Sequence, residues 1–383
     1  MVYMNVNGFR ILMVSHVSPD SIYGAGSSLR QHMELMGRHH LSLFSPIHRK
    51  VSRVGKGVAV ISFFSPITYN YDVRLAFFRR FILSWGSRCA FWASSPWVFY
   101  RLVRLSPDII HLNSLVLSDF LLLLRAYRLF KRVAVVSHVR EMLATQISAY
   151  QKYLMGTCDH FIFIDKAVQQ RFSEVLGGEH KFDIVQNPFK GAKATERLPR
   201  EIAALKEAGR VVFAIAGRIE NGKGVLEICS HFLSQAPTNA ALLIVGGGST
   251  GCIDQLRTFV ERSNGTIVYL GQVTDLQSTG FFGEIDFLIR GEPFFCTGRT
   301  VYESLYSGSN VIVPALSGDL EGDELLVEFK DKVFCYPPGD FASLMMLVKR
   351  LSGGAESTRN RCVRDNYENY VASLNAIYSR VVK

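Results

Sequence analysis

The sequence predicts an α/β protein made of two successive Rossmann-like domains. Two observations support this fold class: short apolar runs ending in polar residues alternate with stretches of helical period, and the alternation restarts after Gly209. Strands that are apolar along their whole length belong to parallel sheets covered on both faces. A chain of 383 residues is long enough to build a core in each of two domains.

The predicted strands form one set in each half of the chain. Those of the N-terminal half are Ile11–His16, Ile109–Asn113, Ala134–His138, His160–Asp165 and Asp183–Asn187. Those of the C-terminal half are Val211–Gly217, Ala241–Gly248, Ile267–Gly271, Asp286–Arg290 and Asn310–Pro314. Ligands of open α/β sheets bind beyond the carboxyl ends of the strands, so residues at these ends are the candidates for function.

The polar stretch Lys190–Gly209 predicts the boundary between the domains. We place the N-terminal domain over residues 1–190 and the C-terminal domain over residues 191–356. Residues 357–383 contain Tyr and apolar side chains at helical spacing, which predicts a terminal helix. In a two-domain α/β protein such a helix can return to pack on the first domain.

Charge is divided unevenly between the two halves. Residues 1–190 contain 23 Lys and Arg against 11 Asp and Glu, whereas the remaining residues contain 20 against 22. A basic half joined to a near-neutral half predicts an anionic partner, which membrane lipid, nucleic acid or a phosphorylated ligand would satisfy.

Cysteine usage and hydropathy predict a cytoplasmic protein. The seven cysteines are scattered, with no Cys-x-x-Cys pair and no His at zinc spacing, so we expect no structural metal. The first residues lack the apolar core of a signal peptide, and charges interrupt the longest apolar stretch, Leu115–Phe130. We therefore expect any membrane contact to be peripheral, on the inner face.

The strongest local motif is Gly217-Arg-Ile-Glu-Asn-Gly-Lys-Gly224, between a predicted strand and a helical run. Its glycines allow a ligand to approach the backbone, and Arg218 and Lys223 place two cations at the start of a helix. This is the chemistry of a diphosphate site. A basic, solvated turn is the alternative interpretation.

A second motif extends from Arg290 to Ser304, again after a strand and into a helix. Gly298-Arg-Thr300 would offer amides, a guanidinium and a hydroxyl to anionic oxygens, and Glu303 suits sugar hydroxyls. The alternative interpretation is a capped helix start with a solvated Glu303.

Together these motifs resemble the nucleotide-sugar site of retaining GT-B glycosyltransferases of family four. The matching stretches are Gly217-Arg-Ile-Glu-Asn-Gly-Lys-Gly224, Glu292-Pro-Phe, Gly298-Arg-Thr-Val-Tyr-Glu303, Gly246-Gly-Gly248, Leu270-Gly-Gln-Val-Thr-Asp275 and Val185-Gln-Asn-Pro188. The resemblance implies a GT-B architecture, in which two Rossmann-like domains face each other across a cleft.

The resemblance also implies roles for individual residues. Its donor-binding residues are Arg218, Lys223, Gly298, Arg299, Thr300 and Glu303, with Glu303 on the ribose, and its catalytic residues are His138 and Glu292, on the transferred sugar. Glu292 and Glu303 are farther apart than in the family, as if Phe295-Cys-Thr297 were inserted. Either the loop bulges and Glu292 still reaches the donor, or its role is lost or moved.

The N-terminal half resembles the family more weakly. Gly24, Ala25 and Gly26 match a glycine loop that lies near the donor phosphates and the acceptor cleft, with a flexible loop and helix cap as the alternative. His138 matches a histidine that contacts the transferred sugar; it competes with His16 and His111, and a structural histidine is the alternative.

Aromatic and arginine side chains are interleaved from Tyr69 to Arg104. This composition suits contact with an anionic membrane surface, stacking on single-stranded nucleic acid, or a buried core. We expect no nucleic-acid partner and retain the membrane and the core as interpretations.

The sequence as a whole predicts a glycosyltransferase of the hexosyltransferase type acting in surface polysaccharide synthesis. It would take a sugar from a nucleotide diphosphate-sugar donor, without a metal cofactor, and pass it to a saccharide or lipid-linked acceptor. The alternatives are a nucleotide-sugar epimerase of the same fold and a non-catalytic protein that binds membrane or nucleic acid.

Overall fold

The structure is a computed structural model that describes residues 8–19, 24–46, 58–64, 77–140, 149–177, 180–192, 199–273, 276–295, 297–316, 318–322, 327–354 and 363–382. Contacts between residues divide the chain into two compact units. The first contains Met1–Pro188 together with Tyr367–Lys383, and the second contains Phe189–Asn366. The terminal helix is thus assigned to the first unit, and the second unit continues past residue 356 to Asn366.

The first unit contains a parallel sheet of seven strands. They are β1 (Arg10–Val14), β2 (His40–Pro46), β3 (Ala59–Phe63), β4 (Ile109–Leu112), β5 (Ala134–Val139), β6 (His160–Phe163) and β7 (Phe182–Ile184), in the order β3-β2-β1-β4-β5-β6-β7. The helices are α1 (Gly24–Leu35), α2 (Phe77–Leu105), α3 (Ser118–Arg128), α4 (Ala149–Met155), α5 (Lys166–Leu176) and the C-terminal helix (Tyr367–Val382). The order reverses between β1 and β4, where the carboxyl ends of the strands open a crevice.

Both faces of this sheet are buried. On one face, the rings of Phe44, Phe63 and Phe120 pack with centroids 5.6–6.2 Å apart. On the other face, Leu374 and Tyr378 of the C-terminal helix join the buried cluster that contains strand residues of β1, β4 and β5. The helix completes the core of the first unit, because without it this face of the sheet would be exposed.

The glycine loop predicted at Gly24, Ala25 and Gly26 is not a loop in the structure. These residues form the first turn of α1. The helix is anchored from its next turns by Leu29 and Met33, which are buried against the sheet. The backbone of the first turn of a helix still presents amides without intrahelical acceptors, so the segment keeps the chemistry of an anion site.

The second unit contains a parallel sheet of six strands. They are β8 (Val211–Ala216), β9 (Ala240–Val245), β10 (Ile267–Tyr269), β11 (Phe287–Ile289), β12 (Asn310–Pro314) and β13 (Val333–Tyr336), in the order β10-β9-β8-β11-β12-β13. The helices are α6 (Arg200–Glu207), α7 (Val225–Gln235), α8 (Thr250–Arg262), α9 (Phe281–Glu284), α10 (Arg299–Tyr306) and α11 (Phe341–Gly353). Here the order reverses between β8 and β11.

The structure confirms the α/β class and the two Rossmann-like sheets. Among the described residues, no helix combines the length and apolarity that crossing a membrane requires.

Candidate functional site

The candidate site of the second unit lies where its strand order reverses. The turn from β8 into α7 contains the first predicted motif, and the loop from β11 into α10 contains the second. Both loops leave the carboxyl ends of neighbouring strands and both enter a helix. The fold therefore places two helix N-termini, each with positive dipole character, beside one crevice.

The turn into α7 is held close to the loop after β11 by two glycines. Gly224 has a left-handed backbone, with φ 69°, and a Cβ atom there would lie 1.9 Å from the carbonyl oxygen of Gly291. No side chain fits this approach. Lys223 is consequently delivered to the neighbouring loop, while Arg218 lies exposed at the start of the same turn.

Glu292 is buried at the centre of this arrangement. Its carboxylate accepts hydrogen bonds from Nε and Nη2 of Arg290, the first over 3.1 Å, and its Oε1 lies 3.4 Å from Nζ of Lys223. Two cations therefore compensate for the burial of one carboxylate. Removing the carboxylate would leave the mostly buried Arg290 guanidinium without its charge partner, whereas Lys223 is partly exposed and is screened by solvent.

Arg290 also bridges the loop to the start of α10. Its Nη1 donates to the hydroxyl of Thr300 over 3.2 Å. A Cβ atom at Gly298 would lie 3.1 Å from both terminal nitrogens of Arg290, so the guanidinium packs directly on the Gly298 backbone. Arg290 thus joins Glu292, Gly298 and Thr300 across the segment that contains Phe295 and Thr297.

Arg290 begins the second motif, but no role was predicted for it. The available signal was a guanidinium two positions before a carboxylate at a strand end, a spacing that allows a forked contact. What the sequence could not show is that the same guanidinium reaches Thr300.

Glu303 is buried within α10. Its Oε1 accepts a hydrogen bond over 2.6 Å from Nε of Arg299, one helical turn earlier. The Arg299 guanidinium lies over the ring of Phe189, 5.1 Å from the ring centroid. Arg299 therefore contacts both Glu303 and Phe189, and its hydrogen bond orients the Glu303 carboxylate on the helix.

Tyr336 supports the loop from the neighbouring strand β13. Its hydroxyl donates to the carbonyl oxygen of Arg290 over 2.7 Å. Burial, and then the charge of Glu292, raise the pKa of Tyr336 well above its usual range. The hydroxyl consequently remains a donor at every physiological pH and holds the backbone at the end of β11.

The predicted donor residues thus fall into two connected groups in the second unit. Arg290 contacts Glu292, Gly298 and Thr300, Lys223 contacts Glu292, and Arg299 contacts Glu303. Arg218 lies exposed at the start of the turn into α7. Cys296 lies outside the described residues. Within the described part of the chain, no group of three or more His, Cys, Asp or Glu is placed to hold a metal ion.

The remaining predicted catalytic residue, His138, belongs to the first unit. His138 lies near the end of β5, fully buried, with its Nδ1 atom 3.3 Å from Nη2 of Arg140. A guanidinium only donates, so Nδ1 accepts and the neutral ring has its proton on Nε2. Among the described residues this Nε2 has no hydrogen-bond partner.

His111 is adjacent to His138, and His32 is adjacent to His111. Their ring centroids are 5.5 Å apart for His111 and His138, and 4.9 Å apart for His32 and His111. Nδ1 of His111 is 2.6 Å from the hydroxyl of Tyr378, and Nδ1 of His32 is 2.7 Å from that of Tyr370, both on the C-terminal helix. Burial is the main cause that lowers the pKa of all three histidines.

The contacts differ among His138, His111 and His16, the three candidates for contact with the transferred sugar. His111 is engaged with the C-terminal helix, and His16 is partly buried at the end of β1, where burial lowers its pKa to about 4. His138 is oriented by Arg140, which also donates over 2.9 Å from Nε to the side-chain oxygen of Asn113. The assignment of His138 to the transferred sugar stays a prediction.

The fold is shared with solved glycosyltransferases. No protein-family model and no curated protein sequence matches the chain. HepE from Anabaena, solved in complex with UDP, is 17% identical with a TM-score of 0.65, over 97% of this chain and 95% of that chain. Sucrose-phosphate synthase from Thermosynechococcus elongatus is 13% identical with a TM-score of 0.70, over 97% and 98%.

The trehalose-6-phosphate synthase OtsA is likewise similar, at 13% identity and a TM-score of 0.71, over 97% of this chain and 99% of that chain. At such identities the likeness establishes the fold. The predicted GT-B fold class is confirmed, since the likeness extends over both units and nearly the whole chain.

Proposed function

We propose that this protein is a retaining glycosyltransferase that takes a sugar from a nucleotide diphosphate-sugar. The observation that supports this most directly is the network at the strand reversal of the second unit. There Lys223 and Arg290 hold the buried carboxylate of Glu292 beside the start of α10. A buried carboxylate flanked by cations and helix N-termini suits a ligand that has both sugar hydroxyls and an anionic leaving group.

Such a site would have to stabilise the leaving group of the reaction. A departing nucleoside diphosphate develops negative charge, which donors fixed in advance stabilise most effectively. Arg218, Lys223 and the first turns of α7 and α10 supply such donors from the protein itself. We propose that Glu303 binds the ribose hydroxyls, while Glu292 and His138 contact the transferred sugar.

The similar structures support the choice of donor. HepE has been solved with UDP and with UDP-glucose, and the other two similar proteins are sugar-phosphate synthases by name. We propose a hexosyl donor for this chain on that basis. We further propose a saccharide or lipid-linked acceptor in surface polysaccharide synthesis.

Titration calorimetry with a panel of nucleotide sugars tests the proposal. We expect one nucleotide diphosphate-sugar to bind and to be hydrolysed slowly when no acceptor is present, and we expect turnover to survive excess EDTA. Inversion of the sugar would indicate an epimerase instead, and absence of donor binding would indicate a non-catalytic protein. Activity that EDTA abolishes and Mg²⁺ restores would contradict the role given to Arg218 and Lys223.

Arg218→Ala and Lys223→Ala are each expected to weaken nucleotide diphosphate binding by about 1.5–3 kcal/mol, the range for hydrogen bonds to charged groups. Nucleoside binding should change much less, because a nucleoside has no phosphates. Lys349→Ala is the matched control, since Lys349 is exposed on α11. Equal losses for diphosphate and nucleoside would show that neither cation contacts the phosphates.

A further inference from the structure

The exposed face of α2 is rich in aromatic side chains. From Trp85 onwards the helix has two distinct faces: Phe91, Val98 and Leu102 are buried in the core of the first unit. The opposite face presents Trp85, Trp92, Trp97, Tyr100 and Val103, which are between 38% and 52% exposed. The core therefore accounts for only part of the aromatic content of this helix.

The neighbouring helices extend the same surface. The rings of Phe99 on α2 and Phe130, just after α3, lie 5.6 Å apart, and Phe130 is itself 76% exposed. On α4, Tyr153 is exposed and its ring lies under the guanidinium of Arg125, 3.7 Å from the centroid. We call this surface the aromatic face: Trp85, Trp92, Trp97, Tyr100, Val103, Leu129, Phe130, Tyr150 and Tyr153.

Charge on these three helices is predominantly positive. Their sequences contain eight Arg and Lys, and the one acidic residue is Asp119. Asp119 is buried and accepts hydrogen bonds from Arg88 over 2.7 and 3.2 Å, so it is neutralised within the protein. Arg101 and Arg104 lie over Trp97 and Tyr100, with 5.7 and 6.0 Å between the guanidinium carbon and the ring centroid.

We propose that the aromatic face is a docking surface for an anionic lipid bilayer. Trp and Tyr side chains favour the headgroup region, where the ring is apolar and the N–H or O–H meets water. Arginines beside them attract acidic headgroups, and no exposed carboxylate on α2, α3 or α4 opposes that attraction. The proposed contact is peripheral, since it is made by exposed side chains on the surface of these helices.

This proposal is independent of the proposed function, because binding requires neither donor nor acceptor. It also refines the sequence-based expectation for this segment. Arg88 is engaged with Asp119 and so supports the fold, whereas Arg101 and Arg104 lie among the exposed aromatic rings.

Tryptophan fluorescence provides a direct test, since the three tryptophans of the chain are Trp85, Trp92 and Trp97. All tryptophan emission of the full-length protein therefore comes from the aromatic face. We expect vesicles of equimolar phosphatidylglycerol and phosphatidylcholine to shift this emission to the blue, and brominated lipid to quench it. Vesicles of phosphatidylcholine alone should have little effect, and salt should weaken the response.

Variants separate charge from apolar contact. The double variant Arg101→Gln/Arg104→Gln should lower the vesicle partition coefficient by about fivefold for each arginine, or about 25-fold in total. Lys349→Gln/Arg350→Gln, an exposed pair on α11, is the matched control and should leave it unchanged. Tyr100→Ser should also weaken binding, whereas Met346→Ser, at an exposed apolar position of the second unit, should not.

Several outcomes would overturn the proposal. Emission that does not change with anionic vesicles, or equal binding to neutral vesicles, would exclude an anionic bilayer as the partner. A blue shift with single-stranded oligonucleotides but not with vesicles would reassign the surface to nucleic acid. A shift that depends on protein concentration without lipid would reassign it to a second copy of the chain.

Discussion

Glu292→Gln is expected to reduce sugar transfer by about 10²–10³-fold, the usual effect of removing one group that stabilises a transition state. The amide keeps the size of the carboxylate and one acceptor oxygen, but it loses the charge that Arg290 and Lys223 compensate. Affinity for the free nucleotide diphosphate should remain nearly unchanged, because the contact that is lost is to the transferred sugar. Single-turnover rates and calorimetry on the same preparation measure the two quantities.

Two other variants make this prediction specific. Glu303→Ala should weaken nucleotide binding itself, since its proposed contact is to the ribose. Arg290→Lys keeps a cation but lacks the planar guanidinium that donates to both Glu292 and Thr300. It should therefore lower the turnover number more than it changes the donor affinity. Wild-type turnover in Glu292→Gln would contradict the assignment, and Glu303 would remain as the carboxylate of the site.

The spacing of Glu292 and Glu303 shows what sequence alone could not decide. The longer loop left open whether Glu292 still belongs to the site. In the structure, Glu292 lies beside Lys223 of the preceding motif, and Arg290 connects it to Thr300 at the start of α10. The extra residues are thus accommodated between two fixed points. The sequence alone predicts neither the two hydrogen bonds from Arg290 to Glu292 nor the packing of Arg290 on Gly298.

Three strands of the structure, β2, β3 and β13, were not predicted. Strands were predicted from continuous apolar runs, which mark strands buried on both faces. Strand β2 begins at His40 and contains two serines, while β3 and β13 lie at the edges of their sheets, with one neighbouring strand each. Ala59–Phe63 and Val333–Tyr336 are short apolar runs, which periodicity alone does not distinguish from buried helix segments. The strands next to the order reversals were predicted, so the two motifs were expected at strand ends, where the structure has them.

For the histidines of the first unit, sequence position identified the candidates but not their contacts. Position at a strand end identified His138, His111 and His16 as candidates. The contacts of His32 and His111 with Tyr370 and Tyr378 join residues far apart in the chain. No local pattern predicts such pairs, because they depend on where the C-terminal helix packs.

Lowering the pH from 7 to 5 is expected to destabilise the first unit strongly through these same histidines. His32, His111 and His138 are fully buried, and desolvation is the largest cause lowering each pKa; that of His111 falls to about 3. Arg140 lowers the pKa of each of them further, and the raised pKa of Tyr378 means that the hydroxyl facing His111 provides no negative charge near neutral pH.

The sign follows from proton linkage. Below about pH 6.5 the unfolded chain protonates these rings while the native unit keeps them neutral, so the unfolded state gains stability as the pH falls. For His111 the loss between pH 7 and 5 is about 2 kcal/mol, and His32 and His138 add losses of the same sign. The carboxylate of Asp108, whose pKa is also lowered, contributes only below about pH 4 and lies outside this window.

Denaturant unfolding followed by tryptophan emission measures this loss, because the three tryptophans lie on α2 of the first unit. His111→Gln should be less stable at pH 7, where it loses the contact with Tyr378, but its stability should fall less steeply towards pH 5. His40→Gln is the matched control, since His40 is exposed and should leave the slope as it is in the wild type. A wild-type midpoint that does not change between pH 7 and 5 would contradict the neutral, buried state of this cluster. A slope in His111→Gln equal to that of the wild type would assign the pH dependence to other groups.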